Sequence, residues 1–302
     1  MGELASLSAS GVWATASLIF ARLGKTVSAL ALNWLKCVIA LVFMVASMAL
    51  LQGQVWPGEL GMEETLILGL SGVVGLSVGD TAFFHALNRL GPRRTLLLSA
   101  LSPPTTAVMA VPVLGEPLTW TMALGMGLTM GGVVWVILER HPDADQGEER
   151  RVDGSWTSKM KWGVVLGVVY ATCQALGNVL TKLGGGEITA LEISVVRLAF
   201  GILGLTLVLG ATRRLMETWV PMRHKKTAVL VVAATFLGTF MGIWLMNAGL
   251  RYTYTGIAST LASLSPVFIL PLAYFVEGEE LSLRSILGAV VAVGGVAVLF
   301  LM

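Results

Sequence analysis

Apolar residues along this chain fall into ten runs, each separated from the next by a polar connector. Each run is close to the about 20 residues that an α-helix needs to cross the hydrocarbon core of a bilayer. Lipid cannot pair with exposed backbone groups, so runs of this length favour helices. The pattern therefore predicts an all-α membrane protein with ten transmembrane helices. The runs lie at 4–21, 29–51, 65–87, 95–114, 119–138, 162–181, 189–210, 228–249, 256–276 and 283–302.

The two halves of the chain are similar in sequence. A shift of 163 positions aligns 75–136 with 238–299 without a gap and gives 17 identities in 62 pairs. Five spans per half is an odd number, so the second half must enter the membrane from the opposite side. We therefore expect two inverted five-helix repeats, 1–138 and 162–302, joined by a polar linker loop at 139–161.

Composition narrows the class of protein further. The chain is 55% hydrophobic and 13% charged, with 35 glycines and a net charge of +2. A soluble domain averages about 25% charged residues, so the composition argues against a soluble enzyme, a nucleic-acid-binding protein and a disordered chain. Cys37 and Cys173 both lie in apolar runs, which gives no sign of a disulfide or a metal site. We expect no cofactor and no nucleic-acid partner.

Lysine and arginine are distributed unevenly over the predicted loops. The loops after runs 1, 3, 5, 7 and 9 carry sixteen of them, whereas the opposite side carries Lys182 and Arg251. The positive-inside rule places the richer side in the cytoplasm, so both termini would face outward. The predicted location is the cytoplasmic membrane of the cell, with the chain crossing it many times.

Two motifs recur at matching places in both halves. A Leu-Ser-Pro triplet stands at 101–103 and at 264–266, and a G-E-x-L-[ST] turn at 115–119 and 278–282 precedes a glycine-rich fifth helix. With ten spans in two five-helix repeats, this order resembles the EamA-type transporters of the drug/metabolite transporter superfamily. The resemblance implies a carrier in the cytoplasmic membrane that works by alternating access, and it implies no particular substrate.

Asp80 is a carboxylate within the third apolar run. A charged residue inside a span is costly and usually faces a cavity or a partner. Such a group can be protonated in one conformation and ionised in the other, which would couple transport to a proton gradient. The alternative is a structural role, in an ion pair with a basic residue such as Lys36 or as a neutral hydrogen-bonded acid. Its counterpart in the second half is Ile243, so the carboxylate occurs in the first half and is not repeated at this position of the second.

Lys36 and Arg197 occupy equivalent places in the second and seventh runs. Each lies about eight residues, or about 12 Å, from the nearer end of its run. They can act as a pair of cations that attract an anionic group of the substrate. They can instead be symmetric structural anchors that bind helix-end carbonyls, and the symmetry favours this second interpretation.

Ser102-Pro103 and Ser265-Pro266 lie in the middle of the fourth and ninth runs. Proline removes a backbone donor, so both helices are expected to kink there. Alternating access requires bending, and two symmetric kinks therefore favour a hinge or gate over direct contact with the substrate.

Aromatic and amide side chains supply further candidates for the lining of a substrate site. Trp13 and Tyr170 are repeat equivalents, Asn178 lies in the sixth run, and Trp244 and Asn247 are one turn apart on one helix face. Together with Asp80, Lys36 and Arg197 they form the predicted set of substrate or coupling residues.

Two further features have a structural explanation. Glu116 and Glu279 are expected to cap the N-termini of the fifth and tenth helices, so they receive no transport role. The glycines of these two helices allow close packing, either between the two halves of one chain or along a dimer seam.

The combined pattern predicts a secondary active transporter that exports small metabolites, such as amino acids or related compounds. Its expected partners are the substrate, the lipid bilayer and protons as a candidate coupling ion. The alternatives are a membrane-embedded enzyme acting on lipid and a non-transporting scaffold. The G-x-S-G at 69–72 is typical of intramembrane proteases, but His85 lies about 21 Å along the same predicted helix from Ser71, too far to act as its base. The substrate, the direction and the choice between monomer and homodimer stay open.

Overall fold

The computed structural model describes residues 1–24, 27–58, 60–139, 158–272 and 282–301. Within these ranges every regular element is a helix. A short 3₁₀-helix, Leu215–Arg223, precedes α9. The α-helices in chain order are α1 (Gly2–Leu23), α2 (Ala29–Gln52), α3 (Met62–Gly72), α4 (Asp80–Ser99), α5 (Ser102–Leu114), α6 (Trp120–Glu139), α7 (Ser158–Gly185), α8 (Ala190–Ala211), α9 (Lys225–Ala234), α10 (Gly242–Tyr252), α11 (Thr255–Ala262), α12 (Ser265–Leu272) and α13 (Leu283–Phe300).

Eight helical stretches of the described chain are long and apolar enough to cross a membrane. Two further helical segments coincide with the remaining predicted runs: α1, with 22 residues, and the shorter apolar segment Thr255–Pro271. The chain is therefore an all-helical, multi-pass membrane protein. The eight stretches are Ala29–Gln52, Met62–Leu90, Arg94–Leu114, Trp120–Leu138, Ser158–Gly185, Ala190–Ala211, Lys225–Tyr252 and Leu283–Phe300.

Two of these stretches contain a π-helical segment near their middle. Val73–Gly79 joins α3 to α4, and Thr235–Met241 joins α9 to α10. The two segments begin 162 positions apart, so they fall at corresponding places of the two similar halves. A π turn widens the helix and disturbs the backbone hydrogen-bond pattern, and such turns are frequent at functional sites.

Helix continuity is interrupted just before each of the two predicted kinks. One helix ends at Ser99 and the next begins at Ser102; the later pair ends at Ala262 and begins at Ser265. Each Ser-Pro pair therefore opens a new helix, with proline second, where its missing N–H donor has no intrahelical partner to lose. The interruptions thus fall at both places where a kink was predicted.

Close approach of α6 and α13 depends on glycine. A Cβ added to Gly132 would lie 2.4 Å from the Ala292 nitrogen, and one added to Gly295 would lie 2.4 Å from the Thr129 nitrogen. The glycine-rich helices therefore pack against each other within one chain, as the first of the two packing alternatives predicts. Gly127, Gly131 and Gly294 have nothing within 4 Å of an added Cβ and lie outside this contact.

The largest apolar cluster surrounds α2 and α8. Leu35, Met44, Leu198 and Leu205 are fully buried in it. Lys36 lies on α2 and Arg197 lies on α8. The packing of these two helices against each other therefore fixes the positions of the two cations. Most of the predicted linker at 139–161, and Glu279, lie outside the described residues.

Candidate functional site

A polar cluster centres on Asp80, the first residue of α4 after the π-helical segment. Its Oδ2 atom forms an ion pair of 2.8 Å with Lys36 Nζ, and its Oδ1 atom accepts a hydrogen bond of 2.9 Å from Gln174 Nε2. The side chains of Lys36 and Asp80 are each 15% exposed. Two charges this far from water stabilise each other through direct contact and additional hydrogen bonds. The structural pair named as an alternative for Asp80 is therefore present.

Aromatic rings lie on one side of this ion pair, beginning with Phe84. The Lys36 ammonium lies 5.6 Å from the centre of the Phe84 ring, and the Tyr170 ring lies 4.8 Å from that of Phe83. A cation over an aromatic face is attracted by the ring electrons. Tyr170, one of the predicted lining residues, thus packs beside the Asp80 cluster.

Arg197 lies on α8 and is 5% exposed. Its Nη1 atom donates a hydrogen bond of 2.7 Å to Asn247 Oδ1, and Asn247 Nδ2 donates one of 2.8 Å to Ser194 Oγ. The two predicted equivalents thus differ, because Lys36 has a carboxylate partner and Arg197 has a neutral amide. Both bind side chains rather than the helix-end carbonyls expected of structural anchors.

Side-chain donors contact the carbonyls of both π-helical segments. Trp13 Nε1 on α1 donates to Gly238 O at 2.7 Å, and Gln174 Nε2 on α7 lies 3.5 Å from Gly75 O. The shift of 163 positions aligns Gly75 with Gly238 in sequence, and α1 and α7 are the first helices of the two halves of the chain. Each half therefore binds the π-helical segment of the other half through its first helix. In addition, Asn33 Nδ2 donates to Leu76 O at 3.1 Å.

The remaining lining candidates are distributed around these contacts. Trp244 packs on Phe240 with a ring separation of 5.7 Å, and Asn247 is fully buried. Asn178 is 7% exposed and has no hydrogen-bond partner among the described residues. The structure therefore joins Asp80, Lys36 and Gln174 directly, and it joins Arg197 to Asn247.

The residues of the predicted hinges make local contacts of their own. Ser265 Oγ donates to Ser10 O at 3.0 Å, and Thr106 Oγ1 donates to Ser102 O at 2.8 Å. Pro103 is buried and Pro266 is partly buried. In the part of the chain that the structure describes, no hydrogen bond joins either Ser-Pro pair to the Asp80 cluster.

Glu116 forms a junction that the sequence did not predict. Its carboxylate accepts hydrogen bonds from the Thr255 backbone N–H at 2.7 Å and from the Thr255 hydroxyl at 2.8 Å, and it pairs with Lys182 Nζ at 2.8 Å. Lys182 Nζ also donates to Thr253 O. Because α6 begins only at Trp120, the expectation that Glu116 caps its own helix is corrected: it caps α11 from the other half. One feature of the sequence could have indicated this junction: Lys182 is one of only two cations predicted on its side of the membrane.

Ser71 of the protease-like G-x-S-G has a packing role. Its hydroxyl donates to Gly177 O at 3.1 Å and lies 2.7 Å from Thr181 Oγ1. These contacts hold α3 against α7. His85, in contrast, is exposed at the surface.

A cavity of about 510 Å³ lies between the start of α2 and the 3₁₀-helix Leu215–Arg223. Its lining includes Ser28, Glu217 and His224, and none of the predicted site residues. It is therefore separate from the Asp80 cluster.

Comparisons with known proteins give a similar solved structure and a matching family model. A solved structure described only as "Crystal structure of protein" matches with a TM-score of 0.78 at 18% sequence identity, covering 99% of this chain and 96% of that chain. At this identity the likeness shows the fold alone. No match was found among curated protein sequences. The sequence model of the EamA-like transporter family matches residues 1–138 and 161–301, nearly the whole of both halves. The chain belongs to the EamA-like transporter family, in keeping with the drug/metabolite transporter superfamily.

Proposed function

We propose that this protein is a secondary active transporter that exports small metabolites, such as amino acids or related compounds, across the cytoplasmic membrane by alternating access. Family membership supports a membrane transporter. The observation that carries the mechanism is the reciprocal contact of each half with the π-helical segment of the other, through Trp13 and Gln174. Transporters built from inverted repeats place their sites at such a repeat interface.

The proposed architecture is ten transmembrane helices in two inverted five-helix repeats. Eight candidate spans, α1 and the segment Thr255–Pro271 supply ten membrane segments. The π-helical segments and the Ser-Pro helix starts recur at matching positions, and α6 packs against α13, the closing helix of the other half. Such a duplication supports an odd number of spans per half and hence opposite orientation.

Movement in this proposal is a rocking of one half against the other. The helix breaks before Ser102 and Ser265 are the hinges, because two short helices can change their angle without breaking backbone hydrogen bonds inside either. The Glu116–Lys182–Thr255 junction closes the outer face in the described conformation, since it ties the loop before α6 to α7 and α11. Opening to the outside requires this junction to separate.

Asp80 is the proposed proton-coupling residue. In the described conformation it is stabilised as a carboxylate by Lys36 and Gln174. A change in helix packing that withdraws Lys36 would separate the ion pair and leave the carboxylate without its cation. Alternation between these two environments would take up a proton on one side and release it on the other.

Flux measurements in proteoliposomes test this function. Radiolabelled amino acids, sugars and nucleotides would be assayed with and without a pH gradient, in vesicles of defined protein orientation. We expect saturable flux of at least one class above that of protein-free vesicles, with a rate that responds to the gradient. The absence of carrier-mediated flux for all three classes, from protein shown to be folded, would contradict the proposal.

A further inference from the structure

The guanidinium of Arg197 is only partly used by the protein. Nη1 donates to Asn247, but Nε is buried and has no hydrogen-bond partner. Nη2 likewise has none among the described residues, so the edge formed by Nε and Nη2 is free. That edge presents two parallel N–H donors, the arrangement with which arginine holds a carboxylate in a bidentate manner. A buried donor left without a partner is costly, and an acceptor delivered by a ligand would remove this cost.

The Asp80 carboxylate does not bind this edge, because it already has other partners. Both oxygens of Asp80 are engaged, one by Lys36 and the other by Gln174. Two cations, Lys36 and Arg197, and one anion, Asp80, give this cluster a net charge of +1. One negative charge from a ligand would therefore neutralise it. Charge far from water is expensive, so neutralisation favours an anionic ligand strongly over a neutral one.

Gly75 leaves room beside the free edge. A Cβ added to Gly75 would lie 3.4 Å from Arg197 Nη2, and this is its one contact within 4 Å outside its own helix. Because Gly75 lies in the π-helical segment Val73–Gly79, the Nη2 end of the free edge lies beside the segment that precedes the proposed coupling residue Asp80. A glycine here leaves the space beside Nη2 unfilled, whereas any other residue would place its Cβ there.

We propose that the Nε and Nη2 edge of Arg197 binds the carboxylate of the transported compound, so that the substrates of this protein are monocarboxylates with a net charge of −1. This inference rests on the proposed transport function and gives its site a chemical class. Asn247 and Ser194 hold the guanidinium in place, and Gly75 provides the space beside it. A phosphate ester fits the same fork, but its second negative charge would leave the cluster with an excess of −1.

Matched pairs of probes test the assignment on the full-length protein. Each monocarboxylate of a labelled panel would be compared with its uncharged amide, and inorganic phosphate would be included as a competitor. Binding would be read from thermal unfolding of the purified protein, and flux from proteoliposomes. We expect the acids to bind about tenfold or more tightly than their amides, as the loss of a charged hydrogen bond predicts.

Two variants connect the preference to Arg197. Arg197→Lys keeps the charge but removes the fork, and Gly75→Ala fills the space beside Nη2 without contacting backbone. We expect both to reduce the acid-over-amide preference about tenfold, whereas Gly131→Ala, which has nothing within 4 Å, should leave it unchanged. If Arg197→Lys fails to fold, Gly75→Ala still provides the test.

The outcomes separate this inference from the transport proposal. Equal binding of acids and amides, an unchanged preference in Gly75→Ala, or phosphate as the better competitor would overturn the carboxylate assignment. Flux of compounds without any dependence on a carboxylate would overturn it too, while transport would stand. Arg197-dependent binding of acids with no flux of any compound would support the site and contradict transport.

Discussion

The Lys36 ammonium and the Asp80 carboxylate form an ion pair of 2.8 Å between α2 and the first residue after a π-helical segment, with Gln174 of the other half bound to the second carboxylate oxygen. The hydrogen bond from Gln174 therefore connects this pair to the other half of the protein. Asp80, the carboxylate of this cluster, thus lies at the proposed interface between the repeats. Experiments must therefore separate the structural role of Asp80 from its role in transport.

A double-mutant cycle on this pair tests its structural role. Asp80→Asn leaves the Lys36 charge unpaired away from water, and Lys36→Met leaves Asp80 unpaired in the same way. We expect each single variant to lose roughly 3 kcal/mol of stability, and the double variant to recover most of it, because a buried pair costs more to break than to replace. Thermal unfolding in detergent measures this. A double variant that loses as much stability as the two single variants added together would show that the ion pair does not stabilise the fold.

The Glu116 junction predicts a labelling experiment. Ser259 lies one turn after Thr255 on α11 and is 5% exposed, so it is shielded from solvent in this conformation. Glu116→Gln removes the ion pair with Lys182. We expect Ser259→Cys to react about tenfold faster with a membrane-impermeant maleimide when Glu116→Gln is added, because a charged contact of this kind contributes about 1.5–3 kcal/mol.

This labelling would be done with Cys37 and Cys173 replaced by alanine. The matched control is Glu63→Gln, which removes an exposed carboxylate from the first turn of α3. It should leave the labelling rate unchanged. A rate that does not respond to Glu116→Gln would argue against the junction as the outer closure.

Neighbouring glycines on α6 provide an internally controlled test of the helix contact. Gly132→Ala would place a Cβ 2.4 Å from the Ala292 nitrogen, whereas Gly131→Ala would meet nothing within 4 Å. We expect Gly132→Ala to destabilise the protein by about 1–3 kcal/mol, as overpacking does, and Gly131→Ala to be neutral. Unfolding temperatures measure both. Similar values for the two variants would mean that α6 and α13 do not approach this closely.

Inverted orientation of the halves predicts opposite locations for two equivalent loops. A phosphatase that is active only outside the cytoplasm would be fused after Gly24, between α1 and α2, or after Gly186, between α7 and α8. Because the positive-inside count places the first loop in the cytoplasm, we expect activity from the Gly186 fusion alone. Activity from both or from neither would contradict the inverted repeat.

Hydropathy was sufficient to locate the eight candidate spans of the described residues, because burial in lipid imposes a local pattern of about 20 apolar residues. The alternative pairing of Asp80 with Lys36 also followed from sequence, since a charge inside a span needs a partner. The π-helical segments were not predictable, because Val73–Gly79 and Thr235–Met241 have the same apolar pattern as ordinary helix.

Contacts between the two halves could also not be predicted from the sequence. Glu116 was expected to cap its own helix, and only the packing of α11 against the loop before α6 reveals its partners Thr255 and Lys182. The difference between Lys36 and Arg197 depends likewise on which residues of α4 and α10 face them. Such pairings are set by tertiary structure, which a single sequence does not encode locally.

Proton coupling through Asp80 is the central claim, and one measurement tests it most directly. Wild type, Asp80→Asn and His85→Gln would be placed in proteoliposomes, and both substrate exchange at equal pH and accumulation driven by a pH gradient would be recorded with a transported compound. His85 is the control because it is an exposed titratable residue on the same helix. The account predicts that Asp80→Asn retains exchange but loses gradient-driven accumulation, while His85→Gln retains both. Gradient-driven accumulation by Asp80→Asn at the wild-type level would contradict it.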